Sequence, residues 1–246
     1  MNIHKLIGIH AIQAALDYSP DRIRLVWVDN QRHDERLKAV LADLKALGIP
    51  LETADKKRLD RLAEGKSHQG LVAQVELPKI FTEEELKKRI ENLAEPAFFL
   101  VLDQVQDPHN LGACLRTADA AKLHGIIVTK DNAATLTPTV CKVASGAAET
   151  VPLYQVTNLA RILRWMKQQN IWIIGSSGEA RHTLYETDLA RSLALVMGTE
   201  GTGMRHLTQQ QCDVLVKIPM YGQVESLNVS VAAAIMIYEV LRQKGI

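Results

Sequence analysis

At 246 residues, with 47% hydrophobic and 23% charged residues, the chain is long enough to bury a full core in one large or two smaller domains. A net charge of +1 argues against a protein coated in basic patches, and the three widely spaced cysteines, Cys114, Cys141 and Cys212, form neither a metal-ligand pattern nor a disulfide framework. The longest nearly apolar run, 229–238, is too short for a membrane span, and the opening stretch MNIHKLIGIHAIQAAL reads as a helix and not as an export signal, so a cytoplasmic protein is expected.

Helical periodicity alternates with short β-rich runs from the start. A helix is expected over 8–18, a strand over 23–28, an amphipathic helix over 34–47 ended by Gly48, a strand near Leu51, a short helix over 56–63 and a strand over 71–77. Pro78 then breaks the strand, and Thr82 with Glu85 makes a capping box before a highly charged helix, 83–93, ended by Glu95-Pro96. This polar stretch offers little to a core, so 78–96 reads as a linker between domains at 1–77 and 97–246. A fragment beginning near residue 95 is then expected to fold alone. Beyond it the rhythm is regular. Strands are expected at 97–103, 125–130, 151–156, 171–177, 193–198 and 214–220, with helices at 111–123, 139–147, 159–169 and 227–244. That alternation predicts an α/β domain with a mostly parallel sheet covered on both faces.

Three glycine- or asparagine-rich segments lie where apolar runs stop: LDQVQDPHNLGACLRTADA (102–120), LVMGTEGTGM (195–204) and SLNVSVA (226–232). Each is expected at the carboxyl edge of the sheet, where open α/β folds bind ligands. Their polar residues, Asn110, Arg116, Glu200, Ser226 and Asn228, suggest a polar, phosphate-friendly site. A dinucleotide fold is disfavoured, because GTEGTG comes late and has the spacing GxxGxG. Each residue also has a plain structural reading. Arg116 could pair with Asp119 at i+3, Glu200 could satisfy amides of its own turn, Ser226 or Asn228 could cap the last helix, and Asn110 could make an Asx turn after Pro108. His109 beside the first loop suggests a general base. The basic cluster Lys56, Lys57, Arg58, Arg61 and Lys66 reads, on charge alone, as a solvated helix face.

Taken together, the three segments resemble the SpoU class of the SPOUT RNA methyltransferases. Asn110, Gly112, Ala113, Arg116, Thr117 and Ala118 match motif one, N-x-G-A-x-x-R-T-A. Gly198, Glu200, Gly201 and Gly203 match motif two, and residues 218–232 match motif three, I-P-M-x-G…S-L-N-V-S-x-A. The resemblance implies a deep trefoil-knot domain that moves a methyl group from S-adenosyl-L-methionine to a ribose 2′-hydroxyl, without a metal. It implies catalytic roles for Arg116, Asn110, Glu200, Ser226 and Asn228, and a cofactor border of Gly198, Thr199, Ile218, Met220, Leu227 and Asn228. The family pattern leaves the position of His109 open. GIHAI near the start and HQGLVA at 68–73 are similar to the two ends of the family's L30e-like substrate domain. The implied partners are 23S rRNA, naked or in a ribosomal precursor and modified at a guanosine, and a second copy of the chain. A tRNA ribose methyltransferase of the same class and a non-catalytic RNA-binding protein are the alternatives.

Overall fold

The computed structural model describes residues 3–29, 31–32 and 35–245. The chain forms two compact units, one of Met1–Pro78 with Leu136–Gly146, the other of Lys79–Thr135 with Ala147–Ile246.

In the first unit, β1 (Ile3–Ile7), β2 (Ile23–Asp29), β3 (Leu51–Ala54) and β4 (Leu71–Glu76) make a sheet in the order β1-β4-β2-β3. β4 is antiparallel to both neighbours, and β2 is parallel to β3. Successive strand residues face opposite sides, and each side has its own helices. α1 (Ile9–Tyr18) and α2 (Glu35–Ala46) bury Ile12, Leu16, Leu37, Val40 and Leu44 with Leu71, Ala73 and Val26. α3 (Lys56–Leu62), capped by Asp55, whose carboxylate accepts from Arg58 N at 2.7 Å, buries Leu59 with Ala54 and Val72. The two segments expected to mark the ends of this domain do meet: Gly8 N donates to Leu71 O at 3.1 Å and Ile9 N to Gln69 Oε1 at 3.1 Å. Residues 3–7, expected to be helical, are instead the edge strand β1. Only Leu6 of the five is buried, so the pairing with β4 defines this strand more than its own pattern does. Asp34, the expected first residue of α2, lies outside the described residues.

The second unit is built on an eight-stranded sheet in the order β10-β12-β9-β11-β6-β7-β8-β5. Its strands are β5 (Ile80–Phe81), β6 (Phe98–Leu102), β7 (Gly125–Thr129), β8 (Leu153–Val156), β9 (Trp172–Ser176), β10 (His182–Thr183), β11 (Leu193–Met197) and β12 (Val214–Lys217). Every pairing among the described residues is parallel. All residues of β6, β7 and β11 are buried, as expected for a parallel sheet covered on both faces. α4 (Glu83–Glu91) and α8 (Leu159–Gln168) pack Leu86, Ile90, Ile162, Leu163 and Met166 with Phe99, Val101, Ile173 and Val196. The alternate residues Phe98, Leu100 and Leu102 are buried as well. α5 (Pro108–Ala120) and α10 (Val229–Gln243) pack on each other and on β7 and β11 respectively.

The linker expectation for 78–96 is overturned. β5 extends the sheet by pairing with β8, and α4 carries fully buried Leu86 and buried Ile90 into the core. The capping box is present: Glu85 N donates to Thr82 Oγ1 at 3.3 Å and Thr82 N to Glu85 Oε2 at 2.8 Å. Hydrogen bonds from Lys79 and the Thr82 backbone pull the Glu85 carboxyl down to about 2. Its contribution to stability is therefore present above the usual 4.5 and lost as pH falls towards about 2. A fragment starting near residue 95 would strip this helix from its sheet, so it is not expected to fold by itself. The helix expected over 139–147 is two, α6 (Pro138–Ala144) and α7 (Ala147–Thr150), broken at Ser145 and Gly146, whose φ values are 51° and 91°. α6 falls within the first unit.

Replacing Leu86 with Ala is expected to cost about 2–5 kcal/mol, the range for a truncated core leucine. Urea unfolding of the full-length variant measures this. A midpoint equal to that of the parent protein would return α4 to the status of a dispensable linker.

Candidate active site

A cleft of about 530 Å³ opens at the carboxyl ends of β9, β11 and β12. It is within the range of about 300–1,000 Å³ of small-molecule sites. Ser176, Ser177, Gly178 and Glu179 come from the end of β9, residues 197–204 from the turn after β11, Lys217, Ile218 and Met220 from the end of β12, and residues 225–227 from the approach to α10. The charged lining is Glu179, Glu200 and Glu225 against Lys217. Three carboxylates to one ammonium make a cleft that favours a cationic centre.

The turn after β11 is closed on itself. Thr199 N donates to Gly203 O at 3.1 Å, and Gly203 N returns a bond to Thr199 O at 3.0 Å. Gly198 lies against the far stem: a Cβ there would fall 2.0 Å from the Gly203 carbonyl carbon and 2.2 Å from Met204 N. No side chain fits, so the wall of the cleft at this point is backbone.

Closure of the turn sets Glu200 at its tip, where it joins the other two motif loops. Glu200 Oε1 accepts from Asn228 Nδ2 at 2.7 Å, from Val229 N at 3.1 Å and from Asn110 Nδ2 at 3.4 Å. Asn228 Nδ2 also donates to Asn110 Oδ1 at 2.9 Å. Asn228 caps α10 at the same time, its Oδ1 accepting from Ser230 N at 3.0 Å and Ser230 Oγ at 2.6 Å. Of the two capping candidates, then, Asn228 is the cap and Ser226 is not; Ser226 lines the cleft. Asn110 makes no Asx turn of its own. It sits in the first turn of α5, whose N-cap is Asp107, accepting from His109 N at 2.8 Å.

The expected residues thus divide. Gly198, Thr199, Glu200, Ile218, Met220, Ser226 and Leu227 line the cleft, while Asn110 and Asn228 border it through Glu200. Arg116 does not line it. This arginine is exposed on α5 and makes no hydrogen bond or ion pair among the described residues; Asp119, its possible partner, accepts instead from Thr150 Oγ1. His109 is exposed and outside the lining. Sequence reasoning missed Ser176, Ser177, Glu179 and Lys217. For Ser176, Ser177 and Glu179 the available signal was positional, since they lie at or just past the end of an expected strand on the ligand-binding edge; Lys217 ends β12 three residues before the expected strand does. Burial pushes the thiols of Cys114 and Cys212 up to about 12 and that of Cys141 to about 11, which keeps all three protonated and unreactive.

An all-parallel α/β unit with three chain-distant loops meeting over an acidic cleft defines an enzyme domain of the carboxyl-edge, small-ligand class. Residues 97–238 match the SpoU rRNA Methylase family, and residues 5–81 match a domain described as RNA 2′-O ribose methyltransferase substrate binding. The chain belongs to the SpoU rRNA methylase family. It is 51% identical over 240 residues to the 23S rRNA (guanosine-2′-O-)-methyltransferase RlmB of Pectobacterium atrosepticum, covering 98% of each chain. Against the protein of that name from Escherichia coli K12 it is 49% identical, again over 98% of each. Among solved structures, the SpoU methyltransferase AviRb of Streptomyces viridochromogenes, in complex with AdoMet, is similar in fold, with a TM-score of 0.70 at 24% identity over 99% of this chain and 91% of that one. A second crystal structure, of an RNA 2′-O ribose methyltransferase, gives a TM-score of 0.64 at 27% identity over 100% and 90%. The expected fold class, a SPOUT α/β methyltransferase domain preceded by a small α/β domain, is the one the chain has.

Gly198→Ala should force the turn after β11 open, destabilising the protein by about 1–3 kcal/mol, the usual scale of overpacking, and abolishing methyl transfer. Urea denaturation and a methylation assay on the same preparation test this. An active alanine variant of native stability would mean that the turn is not closed against Gly198.

Proposed function

We propose that this protein transfers a methyl group from S-adenosylmethionine to the ribose 2′-hydroxyl of a guanosine in 23S rRNA, in the cytoplasm. Relatives at about half identity over nearly the whole chain carry that activity in their names. The observation that carries the reading is the acidic cleft closed by the Gly198 turn and stitched through Glu200. Its residues fit the cofactor. The backbone at Gly198 leaves a wall without side chains, Ile218, Met220 and Leu227 offer apolar surface to an adenine, and Glu179, Glu200 and Glu225 complement sulfonium and ammonium charges. When bound, S-adenosylmethionine supplies an electrophilic methyl group on a positively charged sulfur.

The protein's own contribution is then positioning, which is where a simple displacement gains most. Glu200, Asn110 and Asn228 hold the three loops in register. Arg116 orients the ribose oxygen and stabilises negative charge developing on it; its very high pKa makes it a poor proton acceptor. The family resemblance pairs two copies through the catalytic domain, and Arg116, exposed and not lining its own cleft, would serve the partner's. RNA selection is assigned to residues 5–81, whose match is to a substrate-binding domain. Lys56, Lys57 and Lys66 are exposed there and make no ion pair among the described residues, whereas Arg58 is paired with Glu52 at 3.0 Å. The three lysines are therefore the better candidates for phosphate contacts.

The deciding experiment maps 2′-O-methyl groups in rRNA and tRNA from cells lacking the protein. Loss at one guanosine of 23S rRNA is expected. Loss in tRNA alone, or label found on a base nitrogen in digested RNA, would overturn the assignment.

Arg116→Ala should lower turnover by about 10²–10⁴-fold, the scale for a lost proton-transfer or orienting group, with cofactor affinity nearly unchanged. Arg116→Lys should rescue poorly, since a point charge cannot reproduce a planar fork. Steady-state kinetics with calorimetric cofactor binding test both, and a fully active lysine variant would exclude a specific guanidinium role.

A further inference from the structure

One buried charge outside the cleft is bonded to both stems of the loop that forms its wall. Asp103 follows β6, and its side chain is fully buried. Its Oδ1 accepts from Arg205 Nε at 2.8 Å and lies 2.7 Å from Nη2 in the ion pair, and its Oδ2 accepts from the Arg205 backbone N at 2.9 Å. Meanwhile Asp103 N donates to Met197 O at 2.8 Å. Met197 is the last residue before the Gly198–Gly203 turn, and Arg205 comes two residues after it. A single aspartate therefore holds both stems of the turn whose tip carries Glu200. It also opens the segment that leads to α5 and Asn110. Neither Asp103 nor Arg205 lines the cleft.

Net stability is a weak reason for such a pair, because burying a carboxylate costs much of what its partner returns. Geometry is a stronger one. A guanidinium and a backbone amide on two oxygens of one carboxylate fix the position and direction of residue 205 together, as a single point charge would not. Clamping the stems also matches the tight packing of Gly198 on Gly203 and Met204, which leaves no room for a Cβ.

We propose that Asp103 and Arg205 are a positioning pair that sets the Gly198–Gly203 turn over the sheet edge, and through it cofactor affinity and the placement of Glu200. This rests on the methyl-transfer reading above. The test uses full-length Arg205→Ala and Arg205→Lys. The Arg205 side chain is 44% exposed, so its truncation opens no core cavity. S-Adenosylmethionine Kd, cofactor KM, kcat and the thermal midpoint are measured for each. The alanine variant should raise Kd and KM by about tenfold or more, since a misplacement of about 1 Å can cost on the order of 10²-fold. Its kcat at saturating cofactor should fall less than its KM rises. The lysine variant, keeping the charge and the backbone donor without the fork, should lie between. Should the alanine variant fail to fold, the lysine variant decides. A lowered thermal midpoint with unchanged Kd and KM would reduce the pair to a structural role and overturn the proposal. Wild-type protein that binds no S-adenosylmethionine would sink the methyl-transfer reading itself, whereas wild-type binding with unaltered variants would sink only the positioning pair.

Discussion

Three chain segments separated by 90 and 28 residues converge on one oxygen, Glu200 Oε1. Two of its donors belong to helix starts: Val229 N is the first amide of α10, and Asn110 lies in the first turn of α5. Helix N-termini carry unpaired amides and partial positive charge, which is where a carboxylate is favoured. That arrangement lets an acidic residue sit at the tip of a tight turn without an ion-pair partner among the described residues. Without Glu200, the tip of the turn after β11 would lose its hydrogen bonds to the other two loops.

The sheet supplies the edge and the rigidity. β6 and β11 are neighbours, so the loops leaving their carboxyl ends start side by side, 95 residues apart in register. Their side chains are buried on both faces, and rigid burial transmits the position of one loop to the next. Asp103 exploits this adjacency: its backbone continues the β6–β11 ladder through Met197, while its side chain reaches past the turn to Arg205. The polar network around Glu200 and the ion pair around Asp103 thus act on opposite ends of the same six-residue turn (its tip and its stems).

Much of this was legible in the residues. The strand-to-helix loops at 102–120, 195–204 and 226–232 announce themselves by apolar runs that stop at glycine, asparagine and glutamate, and they do meet at the carboxyl edge. What stayed hidden has physical causes. β1 alternates weakly because it is an edge strand with one buried residue, and its isoleucines run on into those of α1. α4 is so heavily charged that its buried pair, Leu86 and Ile90 at i,i+4, is masked, and β5, at two residues, is too short to show a period. The break between α6 and α7 depends on Ser145 taking a left-handed conformation, which serine does not advertise. Arg116 could be picked out by its motif, but that it does not line its own cleft is a property of the fold.

Counting donors and acceptors sharpens the division of labour among the motif residues. An asparagine amide has two N–H donors and one carbonyl oxygen. In Asn228 the amide nitrogen serves Glu200 and Asn110, and the oxygen serves the first turn of α10. Its side chain is saturated, so its contribution is to orient others and not to hold a ligand. Asn110 spends its oxygen on Asn228 and one amide proton on Glu200, leaving one donor. Glu200 uses Oε1 three times, while Oε2 makes no hydrogen bond among the described residues. Of these three side chains, one N–H of Asn110 and one oxygen of Glu200 are thus the groups that the loop-to-loop bonding leaves unused among the described residues.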